Sequence, residues 1–351
     1  MSTSWLSPLG ITFFPTLKTL ITDCPYVSLF LLALGSISFA KFAIKTVGFL
    51  LQTFVLPGTN LKKYGAGKGA WAVVTGASEG IGREFALQFA RKGFNVVVSA
   101  RNASTLATLI AEIESSTPPG EKVQAKAITM DFSRLHDEGS WKHFEAELQG
   151  LDIGVLVNNV GKSHHYVVDF VDAPKQEVED IIAINVGATV RVTKMVLPGM
   201  IKRKRGLIMN MGSFSGVSVA SPMLATYAGT KSFIASFSAS LAQEVKAKGI
   251  DVECLNTYFV VSNMAKIRRA TMMVPMPKAY VRAALAKVNL PCGALWTGRP
   301  FVVTPYWSHS VLDYLMNLIG WKMFFVRYTH DLHRGIHKRV MRKLEREGKK
   351  Q

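Results

Sequence analysis

The sequence predicts an α/β fold built on a doubly wound parallel sheet, and three observations carry that prediction. Short runs rich in β-branched residues recur along the chain, and longer stretches with apolar residues at helical spacing separate them. A glycine-rich turn follows the first run directly and opens a helix. Alternation of this kind specifies parallel strands covered by helices on both faces, with ligands bound at the carboxyl ends of the strands.

The chain has 351 residues, enough for one large unit with extensions. From Val27 to Ala40 there is no charged residue, and apolar character resumes from Thr46 to Leu56 after Lys41 and Lys45. A spanning helix needs roughly 20 apolar residues, so the tract spans only if those lysines reach toward headgroups; a re-entrant hairpin and an interfacial helix are the other arrangements open to it. A membrane anchor is expected over about 26–56, within an N-terminal segment 1–67. A buried core helix is the alternative, and a cleaved signal peptide fits less well because the tract starts late. The positive mean hydropathy agrees with apolar residues facing lipid. The lysines that trail the tract put the following domain on the cytosolic side.

A glycine-rich linker, Tyr64 to Gly69, leads into the main domain, expected over 68–310. Candidate strands are Trp71 to Thr75, Asn95 to Ala100, Val123 to Asp131, Ile153 to Asn158, Gly206 to Met211, Asp251 to Asn256 and Phe301 to Thr304. Helical spacing covers Ile81 to Lys92, Gln176 to Lys204 and Pro222 to Lys248. Beyond 310 the rhythm changes. Leu312 to Tyr328 is apolar and aromatic and a basic tail follows, so 311–351 reads as an amphipathic extension that either touches a membrane or packs on the chain's own core.

Lysine and arginine exceed aspartate and glutamate by 18. The basic residues crowd near both ends, at Lys62, Lys63 and Lys68 and again at Arg334, Lys338, Arg339, Arg342 and Lys343, which suits a membrane surface better than a nucleic-acid groove. No nucleic-acid motif is present to revive that class. Cys24, Cys254 and Cys292 lie far apart and are odd in number; they read as reduced thiols in a cytosol-facing domain, with no disulfide framework and no metal site.

The turn TGASEGIG, Thr75 to Gly82, carries the first piece of chemistry. Gly76, Gly80 and Gly82 lack Cβ, so backbone N–H groups can approach a pyrophosphate at the positive end of a helix. Val74, Ser78 and Ile81 flank those glycines and complete the expected contact set. The second strand ends in Arg101 where a 2′-hydroxyl reader would be acidic, so NADPH is favoured over NADH; Glu79 opposes that preference from within the loop. Asp131 ends the third strand, either as an adenine contact or as a helix cap.

Tyr227 and Lys231 lie four positions apart on a predicted helix, on one face. A phenol titrates near 10 and needs a neighbouring ammonium to act at neutral pH. Ser213 lies fourteen positions upstream at the mouth of a strand, placed to hold a substrate carbonyl while Tyr227 gives it a proton. Asn185 is polar within an apolar helical stretch, placed either to hold a water that serves Lys231 or to kink the helix.

Taken together, TGASEGIG, Asp131, Asn158-Asn159-Val160-Gly161, Asn185, Ser213, Tyr227 and Lys231 closely resemble the short-chain dehydrogenase/reductases across roughly Lys68 to Ser310. The resemblance implies a Rossmann-like fold and a catalytic tetrad of Ser213, Tyr227, Lys231 and Asn185. It also implies that Lys231 holds the nicotinamide ribose, that Asn158 and Gly161 line the cofactor groove, and that Val260 and Ser262 touch the carboxamide. The Pro-Gly turn usual after the sixth strand is replaced by Thr257-Tyr258-Phe259, which implies a reshaped substrate side.

Within that family the chain looks like the microsomal branch of very-long-chain 3-oxoacyl-CoA reductases and 17-beta-hydroxysteroid dehydrogenases. The apolar N-terminal tract, Glu79, Tyr258-Phe259-Val260 and Thr304 to His309 carry this likeness. It implies an endoplasmic reticulum membrane enzyme that reduces a long-chain acyl-CoA substrate beside other fatty-acid elongation enzymes. A steroid or retinoid carbonyl reductase would share every catalytic residue, whereas a non-catalytic membrane scaffold would have no reason to keep them together. Met264, Met272, Met273 and Met276 are expected either as a pliable lid over an acyl chain or as core filling. Lys349 and Lys350 resemble a dilysine retrieval signal with its spacing off by one.

Overall fold

Six of seven short strands bury almost every side chain, which is what a sheet covered on both faces requires, and the edge strand Ala125–Thr129 is the part-exposed exception. The computed structural model describes residues 22–116 and 123–348; Lys349 and Lys350 lie outside them. The strands are β1 (Trp71–Thr75), β2 (Asn95–Ala100), β3 (Ala125–Thr129), β4 (Ile153–Asn158), β5 (Gly206–Met211), β6 (Ile250–Leu255) and β7 (Val302–Val303). All pair in parallel in the order β3-β2-β1-β4-β5-β6-β7. Strand order therefore reverses between β1 and β4, and a crevice opens at their carboxyl ends.

The N-terminal helix α1 (Pro25–Leu50) belongs to a separate unit, and a π-helical turn Leu51–Val55 follows it. From Pro25 to Val55 the helix is long and apolar enough to cross a membrane, with Lys41 and Lys45 as its only charges.

The second compact unit starts at Leu51. Of the Gly-rich stretch expected as a linker, Tyr64 to Ala66 are buried and Gly67 to Gly69 are exposed. Tyr64 is fully buried and its hydroxyl donates to Asp251 Oδ2 at 2.5 Å. Burial, then the neighbouring Asp251 carboxylate, push that phenol far above its usual range. Gly154 allows the approach, because a Cβ there would stand 2.0 Å from the Tyr64 carbonyl oxygen.

Helices α2 (Gly80–Arg91), α3 (Ala103–Ser116), α4 (Glu138–Leu148), α5 (Lys175–Ile182), α6 (Thr189–Arg203), α7 (Ala225–Val245) and α8 (Pro277–Ala286) cover the sheet. The single long helix expected over Gln176 to Lys204 is two helices joined by a π-helical turn, Ala183–Ala188. On one face the core gathers Phe85, Phe89, Phe94, Leu106 and Tyr280; on the other, Trp141, Phe144, Val192 and Met200.

The expected amphipathic stretch is broken at Gly320, in left-handed backbone at φ +71°, into α9 (Trp307–Ile319) and α10 (Lys322–Gly348). α9 is fastened to the sheet by a buried polar network. Asp313, wholly inaccessible, accepts from both Arg299 Nη2 and Thr304 Oγ1, the latter at 2.7 Å, and from Asn256 Nδ2 at 3.2 Å. Ser218 Oγ also donates to it, at 3.1 Å. Removing the carboxylate strands a buried guanidinium. We expect Asp313→Ala to lose about 3–5 kcal/mol of stability in urea unfolding followed by circular dichroism.

Beside that network His309 packs among Phe214, Tyr258, Tyr280 and Tyr306, and its Nε2 donates to the Met273 carbonyl at 3.1 Å. Burial holds its pKa down to about 4, against 6.5 for the free side chain. Between those values the unfolded chain takes up a proton that the folded chain refuses, so stability rises with pH across that window. Stability should fall by up to about 3 kcal/mol as pH drops from 6.5 toward 4, and His309→Gln should flatten that part of a stability-against-pH curve.

Candidate active site

At the mouth of β1 the chain must turn within a few residues and leave its backbone uncovered. Gly76 (φ +67°) meets these demands: a Cβ there would stand 2.8 Å from Val160 Cα. Gly82 lets the first turn of α2 close on the same loop, since its Cβ would lie 2.2 Å from the Gly76 carbonyl oxygen. Gly80, by contrast, faces open space, with only Ser262 Cβ at 3.9 Å. Glu79 stands at the N-cap of α2 without a side-chain bond to the helix, which leaves first-turn N–H groups open to an anion. Its carboxylate instead accepts from Asn263 Nδ2, tying the phosphate turn to the loop after β6. A cradle closed by two glycines and open at a third, above an uncapped helix end, fits a dinucleotide pyrophosphate.

The turn is braced from β4. Asn159 Nδ2 donates to the carbonyls of Thr75 and Gly76, both at 3.0 Å, and Thr75 Oγ1 accepts from Asn159 N and Val160 N, both at 3.1 Å. Asn159 also lines the cleft. Asn158 does not, contrary to expectation: it is buried, and its Nδ2 donates to Thr193 Oγ1 at 2.9 Å and Asn210 Oδ1 at 2.8 Å. Adjacent strand residues face opposite sides, and the first asparagine of the pair faces the sheet's interior. Val74 likewise sends its side chain into the core, so only its backbone is available to a ligand.

Arg101 is exposed at the end of β2, and Ser78 and Ile81 stand in the phosphate turn and the start of α2, with Ile81 at the cleft. Asp131 is engaged locally: its Oδ1 accepts from Ser133 N at 3.0 Å and Ser133 Oγ at 2.8 Å, and Arg134 lies 3.7 Å from its Oδ2. These bonds close a turn at Asp131 and are not a helix cap: the N-cap of α4 is Asp137, which accepts from Ser140 N at 3.0 Å. Val260 and Ser262 both line the cleft, and Ser262 Oγ is tied to its own loop through Val260 O and Ala265 N.

Ser213, Tyr227 and Lys231 converge on one cleft together with Gly161. Ser213 caps a single helical turn after β5, and its hydroxyl accepts from Ser215 N at 3.2 Å. Tyr227 and Lys231 project from the first two turns of α7, with the Lys231 ammonium 5.6 Å from the centre of the phenol ring. Lys231 Nζ donates to the Met211 carbonyl at 2.7 Å. Burial brings that ammonium down to about 8.

Burial raises the Tyr227 phenol, and a hydrogen bond from Ser213 pulls it the other way. The lowering by the ammonium expected from the sequence is not among the influences on this phenol: burial is the larger and Ser213 the smaller. The outcome is a phenol that stays protonated at neutral pH beside groups able to stabilise its anion.

Asn185 sits in the π-helical turn, where an extra residue per turn aims its amide sideways. Its Nδ2 donates to the Lys162 carbonyl and to Thr230 Oγ1, each at 2.9 Å, and its Oδ1 accepts from Lys162 N at 2.8 Å. Both amide hydrogens and one lone pair are therefore spent on protein, fixing the turn that follows Gly161. A Cβ at Gly161 would stand 3.4 Å from Asn185 Oδ1 and 3.8 Å from Lys231 Nζ.

The cleft holds about 480 Å³ and its far wall is apolar. Leu312 and Met316 of α9 and Phe324, Phe325, Tyr328 and Leu332 of α10 form that wall, so the C-terminal extension completes the site. Tyr258 enters from the loop after β6, edge-on to Phe214 with ring centres 5.2 Å apart. Of the four methionines expected as a lid, Met264 lines the cleft and, like Met272 and Met276, is exposed. Sequence reasoning missed Asn159 and the whole α10 wall. The paired asparagines after β4 were a signal for the first; nothing local signals the second.

The short chain dehydrogenase family matches residues 70–272. A very-long-chain 3-oxoacyl-CoA reductase of Laccaria bicolor is 53% identical over 333 residues, covering 95% of this chain and 97% of that protein. The protein of the same name from Coprinopsis cinerea is 54% identical, over 94% and 96%. Among solved structures, a 7beta-hydroxysteroid dehydrogenase shares the fold at a TM-score of 0.64 and 23% identity, over 77% of this chain and 98% of that one. A short-chain dehydrogenase from Sphingobium yanoikuyae in complex with NADPH aligns at a TM-score of 0.57 and 25% identity, over 72% and 95%. With the family's span, the parallel sheet and the glycine cradle in agreement, the chain belongs to the short-chain dehydrogenases, oxidoreductases that use a nicotinamide cofactor.

Proposed function

We propose that this chain reduces the 3-oxo group of very-long-chain 3-oxoacyl-CoA to a 3-hydroxyl with NADPH, the reductive step of fatty-acid elongation. The observation that carries the reading is the meeting of Ser213, Tyr227 and Lys231 in a cleft whose opposite wall is apolar and aromatic. An acyl chain gains about 0.8 kcal/mol per methylene on leaving water, and such a wall gives it somewhere to go. The two fungal relatives carrying that enzyme's name, each over half identical, support the same substrate class.

A bound nicotinamide supplies hydride to the carbonyl carbon. The protein's residues then govern the oxygen. Ser213 donates to it and fixes the ketone's orientation; Tyr227 transfers its phenolic proton to the same oxygen as charge develops there. The Tyr227 anion left behind is stabilised by Ser213 and by the nearby Lys231 ammonium. Asn185 acts as a positioning residue through the Gly161–Lys162 turn. Val74, Gly76, Ser78, Gly80, Ile81, Gly82, Gly161, Val260 and Ser262 are the proposed cofactor contacts, with Asn159 in place of Asn158. Arg101, exposed at the end of β2, is proposed to face a 2′-phosphate.

The helix from Pro25 to Val55 supports a membrane anchor, and the lysines that follow it support a catalytic unit on the cytosolic face of the endoplasmic reticulum. A shared surface with other elongation enzymes is part of the same reading.

Purified protein should oxidise NADPH with a long-chain 3-oxoacyl-CoA and leave steroid and retinoid ketones largely unreduced. Tyr227→Phe should lower kcat by at least about a thousandfold while the dinucleotide still binds; a fully active variant would remove Tyr227 as proton donor. Arg101→Ala should raise the KM for NADPH about tenfold and leave that for NADH unchanged, since one charge-assisted pair is worth roughly 1.4 kcal/mol or more. An unaltered preference in the two-cofactor assay would take Arg101 out of the site.

A further inference from the structure

Three residues of α10, Phe324, Tyr328 and Leu332, recur at intervals of four and line the cleft. They are also open to the outside, with Phe324 56% and Tyr328 62% exposed. One helical stripe thus forms both the cleft's wall and the protein's surface. Around it the exposure is apolar and unusual for a water-facing helix. Trp321 is 72% exposed and Met323 63%, and Leu315, Leu318 and Ile319 of α9 are exposed beside them. The helix is firmly docked only farther along, where His333 Nδ1 donates to the Pro222 carbonyl and His337 Nδ1 to the Val167 carbonyl, each at 2.7 Å.

Charge selects the occupant of this surface. From Lys322 to Gly348 the helix carries Lys322, Arg327, Arg334, Lys338, Arg339, Arg342, Lys343 and Arg346 against Asp331, Glu345 and Glu347. A second copy would set this cationic helix against its like. An anionic leaflet complements it, with tryptophan and tyrosine at headgroup depth and lysine and arginine among phosphates. We propose that the corner formed by α9 and the first turns of α10 is a second membrane-contacting surface, separate from the N-terminal helix. Through it the substrate's acyl chain passes from the bilayer directly to the cleft. This rests on the acyl-CoA reading for its cargo but not for its contact with lipid.

The test uses the full chain with Cys24→Ser, the one exposed native thiol among the described residues, in vesicles of phosphatidylcholine and phosphatidylserine. An environment-sensitive fluorophore is attached at Met323→Cys or, on the exposed face of α4, at Lys142→Cys. The label at 323 should be quenched by spin-labelled phospholipid and shielded from aqueous iodide, with the reverse at 142. Free access of iodide to 323, or shielding without lipid quenching as a protein partner would give, overturns the proposal.

Passage of substrate is read separately. Ile319→Glu with Met323→Glu should lower kcat/KM for a vesicle-borne very-long-chain 3-oxoacyl-CoA about tenfold and leave a short, water-soluble 3-oxoacyl-CoA unchanged. An equal loss for both chains would remove the entry route. Should the wild type reduce neither, the substrate assignment fails while the fluorophore still decides the surface.

Discussion

The close approach of two turns at the centre of the sheet is the constraint on which the rest depends. β1 and β4 are hydrogen-bonded neighbours, and the chain leaves both at the same end. The turn after β1 must pass so near the turn after β4 that a single methyl at Gly76 would collide with Val160. Asn159 converts this proximity into fixed geometry by donating to two successive carbonyls of the β1 turn. The glycine-rich turn, the start of α2 and the Gly161 turn beside Lys231 are therefore braced against one another by a glycine and an amide.

The same principle explains what could be read in the sequence. Ser213, Tyr227 and Lys231 were legible because their relation is local or nearly so: a helical interval of four, and a serine at the end of the strand that precedes the helix. The seven strands were legible because burial on both faces leaves continuous β-branched runs. The asparagine pair was misread by one residue, since alternation along β4 decides which of the two faces inward and the pair itself carries no phase. Asp131 suits an adenine contact and a cap equally as a sequence, but the helix that follows begins seven positions later and takes Asp137 as its cap. The α10 wall was illegible for a different reason. An amphipathic helix reveals that it has an apolar side, but not that this side closes a cleft around Tyr227, which lies about a hundred positions earlier in the chain.

That wall gives the C-terminal extension its physical sense. The proposed catalytic groups, Ser213 just after β5 and Tyr227 and Lys231 on α7, lie within a fold shared in outline with a steroid dehydrogenase of 23% identity. The apolar boundary of the cleft is supplied by α9 and α10, beyond the residues that the family matches. Chemistry and reach are thus built from different parts of the chain. The buried Arg299–Asp313 pair joins them, because it anchors α9 to the loops at the ends of β6 and β7.

Burial also sets the resting protonation of the site. A phenol raised by desolvation is protonated at neutral pH, and a lysine brought down to about 8 is near its own midpoint. Reduction needs a proton donor at the start, and the proposed donor, Tyr227, is protonated in its resting form. Desolvation thus keeps the proton where the proposed chemistry needs it, and the same dry surroundings continue along the apolar wall of α9 and α10.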